Sequence, residues 1–229
     1  MSEFAKQAVA PQTTGRLVHW ALRYDLLLSV VSLGREQAFR ENALGLIGLK
    51  HGDAVLDVGC GTGTLAIAAK RHVGPVGVVC GIDASVEMIA RARKKARKAG
   101  LDVVFKNAAA ETLPFPDAQF NAVLNTMMLH HLPRKPRADC VREMFRVLKP
   151  GGKLLVIDFG GTKPKGKGFF SRLHRHGEIN LRDLLTAFED TGYHAIASGP
   201  FGVGDLHYVL AEVPEPDAKA GTANGERKR

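Results

Sequence analysis

Beginning at Asp53, short aliphatic and β-branched runs alternate with longer stretches whose apolar residues recur every three to four positions. The first pattern suits buried strands and the second amphipathic helices, because a 3.6-residue repeat gathers apolar side chains on one helical face. Strands are thus predicted at Ala54 to Val58, Val76 to Ile82, Asp102 to Lys106, Asn121 to Asn125 and Lys153 to Phe159. Helices are predicted near 63–72, 85–99 and 137–148, the last stopped by Pro150-Gly151-Gly152. Such alternation is the rhythm of parallel strands joined by crossover helices.

Upstream, Leu17, Trp20, Ala21, Tyr24, Leu27, Leu28 and Val31, then Phe39, Ala43, Leu46 and Ile47, keep helical spacing, so two helices should precede the sheet. After a polar stretch at 160–177, a helix near 178–190 leads to two candidate strands, His194 to Ser198 and Leu206 to Val213. A Gly/Pro-rich turn separates them, as in a terminal antiparallel pair. Residues 1–14 and 214–229 lack the apolar side chains that offset the entropy of ordering, and both are expected to be disordered. The organisation read from the pattern is a helical segment at 15–50 and one doubly wound α/β domain at 51–213.

The chain is 45% hydrophobic and 24% charged, as globular proteins are, and no apolar run reaches the ~18 residues of a membrane span. The start lacks the pattern of a secretion signal, and Cys60, Cys80 and Cys140 form neither an even set nor a close metal-ligand pair. A cytoplasmic location is therefore expected. The formal charge of +9 is concentrated at Arg91 to Lys98 and in the tail from Glu226 to Arg229. Spread basic residues of this kind read as a solvated face more often than as a nucleic-acid footprint. Phe169-Phe170 amid Lys163, Lys165, Lys167 and Arg172 would give at most a minor contact with a membrane surface, a mobile basic loop being the commoner meaning.

The most informative stretch is Leu56-Asp57-Val58-Gly59-Cys60-Gly61-Thr62-Gly63-Thr64, where a strand runs into alternating glycines and then a helix. In a doubly wound sheet this turn lies at the carboxyl edge, where a nucleotide-like ligand can approach the backbone. The dinucleotide fingerprint places its last glycine three positions after the second, whereas Gly63 follows Gly61 by two, which favours S-adenosylmethionine (SAM) over NAD. Asp83, ending the second strand, can accept hydrogen bonds from both ribose hydroxyls; its plainer role would be a turn acid. Ser85 can cap the following helix, with Glu87 complementing its dipole.

Taken together, LDVGCGTGT, GIDASVEMIARA, ETLPFPD, LHHL and RVLKPGG resemble the class I SAM-dependent methyltransferases with a type 11 methyltransferase domain. The resemblance implies a Rossmann-like, mostly parallel seven-stranded sheet with an antiparallel last strand, and N-terminal helices acting as a substrate lid. It implies SAM as cofactor, held along Asp57, Gly59, Cys60, Gly61, Gly63 and Asp83, with Ala84 and Met88 covering adenine and Asn125 nearby. Ala109 stands where the family often has an acidic or amide residue before the pair matched by Ala110-Glu111. The adenine edge would then fall to Asn107 or to the backbone amides of Ala109 and Ala110. Tyr24-Asp25-Leu26-Leu27, Ser32-Leu33-Gly34 and Arg40 are similar to the ubiquinone/menaquinone biosynthesis methyltransferases. Leu28, Glu36 and Phe39 replace that subfamily's Asn, His and Trp, and Asp158-Phe159-Gly160 replaces its Glu-x-Ser.

Methyl transfer from a sulfonium needs near-attack geometry and exclusion of water more than a dedicated base. If the nucleophile carries a proton, His130 or His131 is a candidate base, with Asp158 and Tyr24 as further candidates. Each has an ordinary alternative: a packed histidine, a surface acid, a helix-face tyrosine. His174 and His176 have no third ligand at a recognisable spacing, and no metal is expected. The expected acceptor is a small molecule, quinol, phenolic or lipid-like. RNA or protein methylation and non-catalytic SAM binding are the alternatives; Asn125-Thr126-Met127-Met128 lacks the Pro-Pro-aromatic continuation of amino-directed nucleic-acid enzymes.

Overall fold

The computed structural model describes residues 36–160 and 181–216. In chain order the elements are α1 (Glu36–Ile47), β1 (Ala54–Val58), α2 (Thr64–Val73), β2 (Val78–Asp83), α3 (Val86–Lys98), β3 (Val104–Asn107), β4 (Phe120–Thr126), α4 (Arg134–Val147), β5 (Leu148–Phe159), α5 (Leu181–Thr191), β6 (His194–Pro200) and β7 (Leu206–Glu212). The first predicted N-terminal helix with Tyr24 and Asp25, the stretch with His174 and His176, and both outer tails lie outside the described residues.

Seven strands form one sheet in the order β3-β2-β1-β4-β5-β7-β6. β1 to β5 run parallel, while β7 is antiparallel to both β5 and β6. The expected Rossmann-like fold is therefore present, with β6 and β7 as the terminal antiparallel pair. The chain winds outward from β1 to β3 and then returns to β4, so the crevice between β1 and β4 is the topological switch point where such sheets bind ligands.

Each face of the sheet carries an apolar core because the central strands are buried on both sides. On one face Leu56, Val58, Val123, Leu154 and Val156 meet Cys140, Val141 and Met144 of α4 and Leu184 and Phe188 of α5. On the other, Val55, Leu124, Leu155 and Ile157 meet Ala43, Leu44 and Ile47 of α1, with α2 and α3 alongside. Ser85 caps α3 as expected, its hydroxyl accepting from Met88 N–H at 3.3 Å. Cys60, Cys80 and Cys140 are all buried and free. Among the described residues no helix is long and apolar enough to cross a membrane.

One boundary differs from expectation. Pro150-Gly151-Gly152 does not simply stop a helix, because α4 ends at Val147 and β5 starts at Leu148. Leu148 pairs with Phe120 but Lys153 pairs with Ala122, so β5 bulges to hold the Pro-Gly-Gly turn. Val213 secures it by accepting from Gly151 N–H at 2.8 Å and donating to the Gly152 carbonyl at 2.9 Å.

Between β3 and β4 the described chain makes turns instead of a helix, and Arg146 of α4 fastens them. Its guanidinium donates to the carbonyls of Leu113 and Phe115 and to the carboxylates of Asp117 and Glu143. Glu143 in turn accepts from Leu113 N–H at 2.7 Å.

Candidate active site

The glycines after β1 do different work at neighbouring positions. Gly59, Gly61 and Gly63 all have left-handed backbones, with φ of 76°, 52° and 77°. A Cβ on Gly63 would lie 2.6 Å from the Phe105 ring and 2.8 Å from Ala92 Cβ, and one on Gly59 would lie 2.5 Å from Met128 Cγ. Those two glycines let a helix and a neighbouring loop approach the turn. A Cβ on Gly61 would meet nothing within 4 Å, so Gly61 presents the open side of the turn.

The turn's N–H groups do not point outward as a phosphate cradle would require. Gly59 and Cys60 both donate to the Ile82 carbonyl, at 2.9 and 2.8 Å, and Gly63 donates to the Cys60 carbonyl at 2.9 Å. Gly61 donates to Asp83 Oδ2 at 2.9 Å. This corrects the simple picture of a ligand gripped by free backbone donors at these four positions, and the reason is local: β2 takes the amides of Gly59, Cys60 and Gly61, and the turn itself takes that of Gly63. What the turn presents is negative charge. The Cys60 thiol is likewise turned inward, 3.0 Å from where a Cβ on Gly81 would lie.

Asp57 is 1% exposed, and neither carboxylate oxygen has a partner of good hydrogen-bond geometry, the Ala66 N–H acting only as a weak donor. Burial pushes its carboxyl up to about 7; the Ala66 N–H offsets part of that and the Asp83 charge adds to it. Burial also raises the Asp83 carboxyl, although N–H groups of Ser85 and Gly61 hold its two oxygens. A poorly partnered buried carboxylate beside a second acid suits a cationic ligand. SAM, with its ammonium and sulfonium, is such a ligand, and an NAD pyrophosphate is not.

The remaining cofactor candidates gather around this edge. Ala84 is half-buried and Met88 buried on the Asp83 side, and Ala109 and Ala110 are buried after β3. Asn107 donates through Nδ2 to the Asp83 carbonyl at 2.9 Å, which also receives Ala108 N–H at 3.2 Å. Its amide nitrogen therefore holds β3 to the Asp83 turn. Asn125 is fully buried and donates to the Val58 carbonyl at 2.9 Å, leaving its Oδ1 unpartnered.

On the far side of the crevice two candidates from distant parts of the chain meet. His130 Nδ1 lies 2.7 Å from Asp158 Oδ1, and His130 N–H donates to Asp158 Oδ2 at 3.2 Å. Asp158 is buried and also accepts from Phe159 N–H at 2.8 Å. An ionised carboxylate can only accept, so Nδ1 carries the imidazole proton and Nε2 is left as the basic nitrogen. The His131 ring lies 3.9 Å and the Phe159 ring 5.0 Å from the His130 ring, centroid to centroid. Met127, next to this turn, has φ of 50°, a conformation rare for a residue with a long side chain.

Sequence reasoning missed the residues that hold these groups. Phe105, wedged against Gly63 and Gly81, was signalled only by a glycine inside a strand. Lys95 donates to the hydroxyls of Thr62 at 2.7 Å and Thr64 at 3.3 Å, and had read as one member of a basic helix. Among the described residues no cluster of three or more His, Cys, Asp or Glu is arranged to hold a metal.

Comparison with known proteins agrees with the geometry. Residues 55–152 match the family described as "Methyltransferase domain". The chain is 38% identical over 171 residues to a ubiquinone/menaquinone biosynthesis C-methyltransferase UbiE of Photorhabdus laumondii, covering 71% of this chain and 67% of that one. It is 40% identical over 149 residues to the UbiE of Pseudomonas entomophila, covering 64% and 57%. The chain thus spans only 57% to 67% of the length of these curated relatives. A crystal structure of a SAM-dependent methyltransferase from Aquifex aeolicus superposes with a TM-score of 0.69 and 26% identity, covering 82% of this chain and 97% of that one. With the SAM-type turn, the paired acids and the sheet order on the same chain, this protein belongs to the class I SAM-dependent methyltransferases.

Proposed function

We propose that the protein methylates a ring carbon of a small quinol or phenolic acceptor, with His130 as the base that takes the acceptor's hydroxyl proton. The observation that carries this reading is the His130–Asp158 pair at 2.7 Å, at the carboxyl edge of β4 and β5 across the crevice from the glycine turn. Similarity to the UbiE C-methyltransferases supports the acceptor class.

Bound SAM supplies an electrophilic methyl group on a sulfonium. Asp57 and Asp83 would hold it, the first through its ammonium and the second through its ribose hydroxyls, while Met88, Ala109 and Ala110 would flank its adenine. His130 Nε2 would accept the hydroxyl proton, raising electron density on the neighbouring ring carbon. Once that carbon has taken the methyl, with the carbon–sulfur bond broken and S-adenosylhomocysteine released, its own hydrogen leaves as a proton and the aromatic ring and hydroxyl are restored. Asp158 fixes the imidazole tautomer and stabilises the imidazolium that forms. Met127, Met128 and Phe159 give this side of the crevice apolar walls that exclude water and suit a flat ring. His131, its ring tilted at 45° against that of His130, shapes the wall.

The N-terminal segment 15–50 serves as the lid in this reading. Phe39 of α1 packs edge-on against Phe201 at 4.9 Å in the β6–β7 connection. That connection follows Pro200, whose partner His207 lies beside Asp158 in register.

The test is incubation with labelled SAM and a panel of prenylated benzoquinols, simple phenols and bulk RNA, followed by mass spectrometry of the products. Label on a ring carbon is expected; label only on oxygen or only in RNA would reject the proposal. His130→Ala and Asp158→Asn should each lower kcat by about a hundredfold or more with SAM affinity unchanged.

A further inference from the structure

We infer that Arg137 is a positioning residue that holds the His130 imidazole against Asp158; the inference rests on the proposed role of His130 as base. The side chain starts in the first turn of α4 and reaches back over the chain. Its Nε donates to the Leu129 carbonyl at 3.1 Å and its Nη2 to the Leu132 carbonyl at 2.9 Å. These two carbonyls bracket Leu129–His131, a single turn of 3-10 helix that carries both histidines.

A lone 3-10 turn is poorly stable by itself, because several dihedrals are fixed for one or two backbone hydrogen bonds of indifferent geometry. Here the chain enters it from Met127 at φ 50° and leaves through an extended Leu132. Two backbone bonds close the turn, from His131 N–H to the Met128 carbonyl at 2.9 Å and from Leu132 N–H to the Leu129 carbonyl at 3.0 Å. Three outside contacts then fix it: Leu129 is fully buried, Asp158 grips the His130 N–H and ring, and Arg137 grips the Leu129 and Leu132 carbonyls. A planar guanidinium can bridge two carbonyls at once, which an ammonium does less rigidly.

The electrostatics agree with the geometry. Arg137 is half-buried, and burial draws its ionisation downward while the Asp158 and Asp183 charges oppose that shift. The cation that clamps the turn therefore lies in the field of the carboxylate that orients the imidazole. Moving Arg137 loosens the turn and removes a counter-charge from Asp158 in one change. An arginine that only tied α4 to the preceding chain would contribute to stability without setting the imidazole.

The experiment compares wild type, Arg137→Met and Arg137→Lys in the full chain, saturated with S-adenosylhomocysteine, by NMR of histidine-labelled protein. Arg137→Met retains the apolar stem and deletes both donors. Expected are a slowly exchanging His130 Nδ1 proton in wild type, its loss in Arg137→Met, and partial recovery in Arg137→Lys. With an acceptor that the wild type methylates, kcat should fall about tenfold or more in Arg137→Met and recover partly in Arg137→Lys, while KM for SAM is unchanged. An unaltered His130 resonance in Arg137→Met overturns the inference, and so does a parallel fall in Tm, SAM affinity and kcat that Arg137→Lys does not reverse. His130→Ala with full turnover would reject the base role alone, since the resonance still reports whether Arg137 orients the ring.

Discussion

The side of the crevice proposed for the cofactor, from β1 to β3, is shaped largely by backbone, whereas the side proposed for the acceptor, at β4 and β5, is assembled from side chains. On the first side, left-handed glycines and two acids within the unit β1–α2–β2 make the site. On the second, His130 and Asp158 are 28 residues apart and meet because β4 and β5 are neighbours. A ligand common to many enzymes is thus read by chain geometry, while the partner that varies is read by groups that can be exchanged without rebuilding the turn.

The harshest way to break this contrast is Gly63→Val. At φ 77°, with Phe105 and Ala92 already occupying the space, it should cost about 3 kcal/mol or more and abolish SAM binding, as thermal unfolding and calorimetry would record. Asp57→Asn separates charge from shape. It should weaken SAM binding by about a hundredfold and yet raise the Tm of the free protein at pH 8.

The sign follows from the raised carboxyl, which moves from 3.8 to about 7. Between those values the folded chain holds a proton that the unfolded chain releases, so this contribution to stability is present at low pH and lost as pH rises through about 7. The Tm advantage of Asp57→Asn should therefore shrink below pH 6; a lower Tm than wild type at pH 8 would contradict it. For the same reason wild-type SAM affinity should rise several-fold between about pH 6 and 7.5, and the Asn variant should show a flatter profile. The mildest change, Gly61→Ala, has open space around it but a φ of 52°. It should cost about 1 kcal/mol in stability and more than that in SAM affinity; equal losses would mean that the open side of the turn does not face the cofactor.

The same contrast explains what could be read in advance. The sheet, the glycine turn after β1 and the place of Asp83 at the end of β2 were legible because each is written in consecutive residues: a strand, glycines at fixed spacing, an acid closing the next strand. The β5 bulge was not, because Pro150-Gly151-Gly152 carries a helix-stop signal and the strand pairing that absorbs it lies on β4 and β7. His130, His131 and Asp158 were nominated singly, but their pairing depends on strand order and had no local signal. Arg137 looked like one more charge in Arg134-Lys135-Pro136-Arg137, since nothing in its neighbours reveals a side chain turned back over the preceding turn.

The internal satisfaction of the Gly59, Cys60, Gly61 and Gly63 amides bears on engineering. Retargeting this scaffold to a phosphorylated coenzyme is not a matter of exchanging one acid for a base. The bend would have to be drawn away from β2 until its amides were released, which means inserting a residue and re-seating Phe105 beneath it. Selection for nucleotide use that begins from point substitutions alone should stall at this bend.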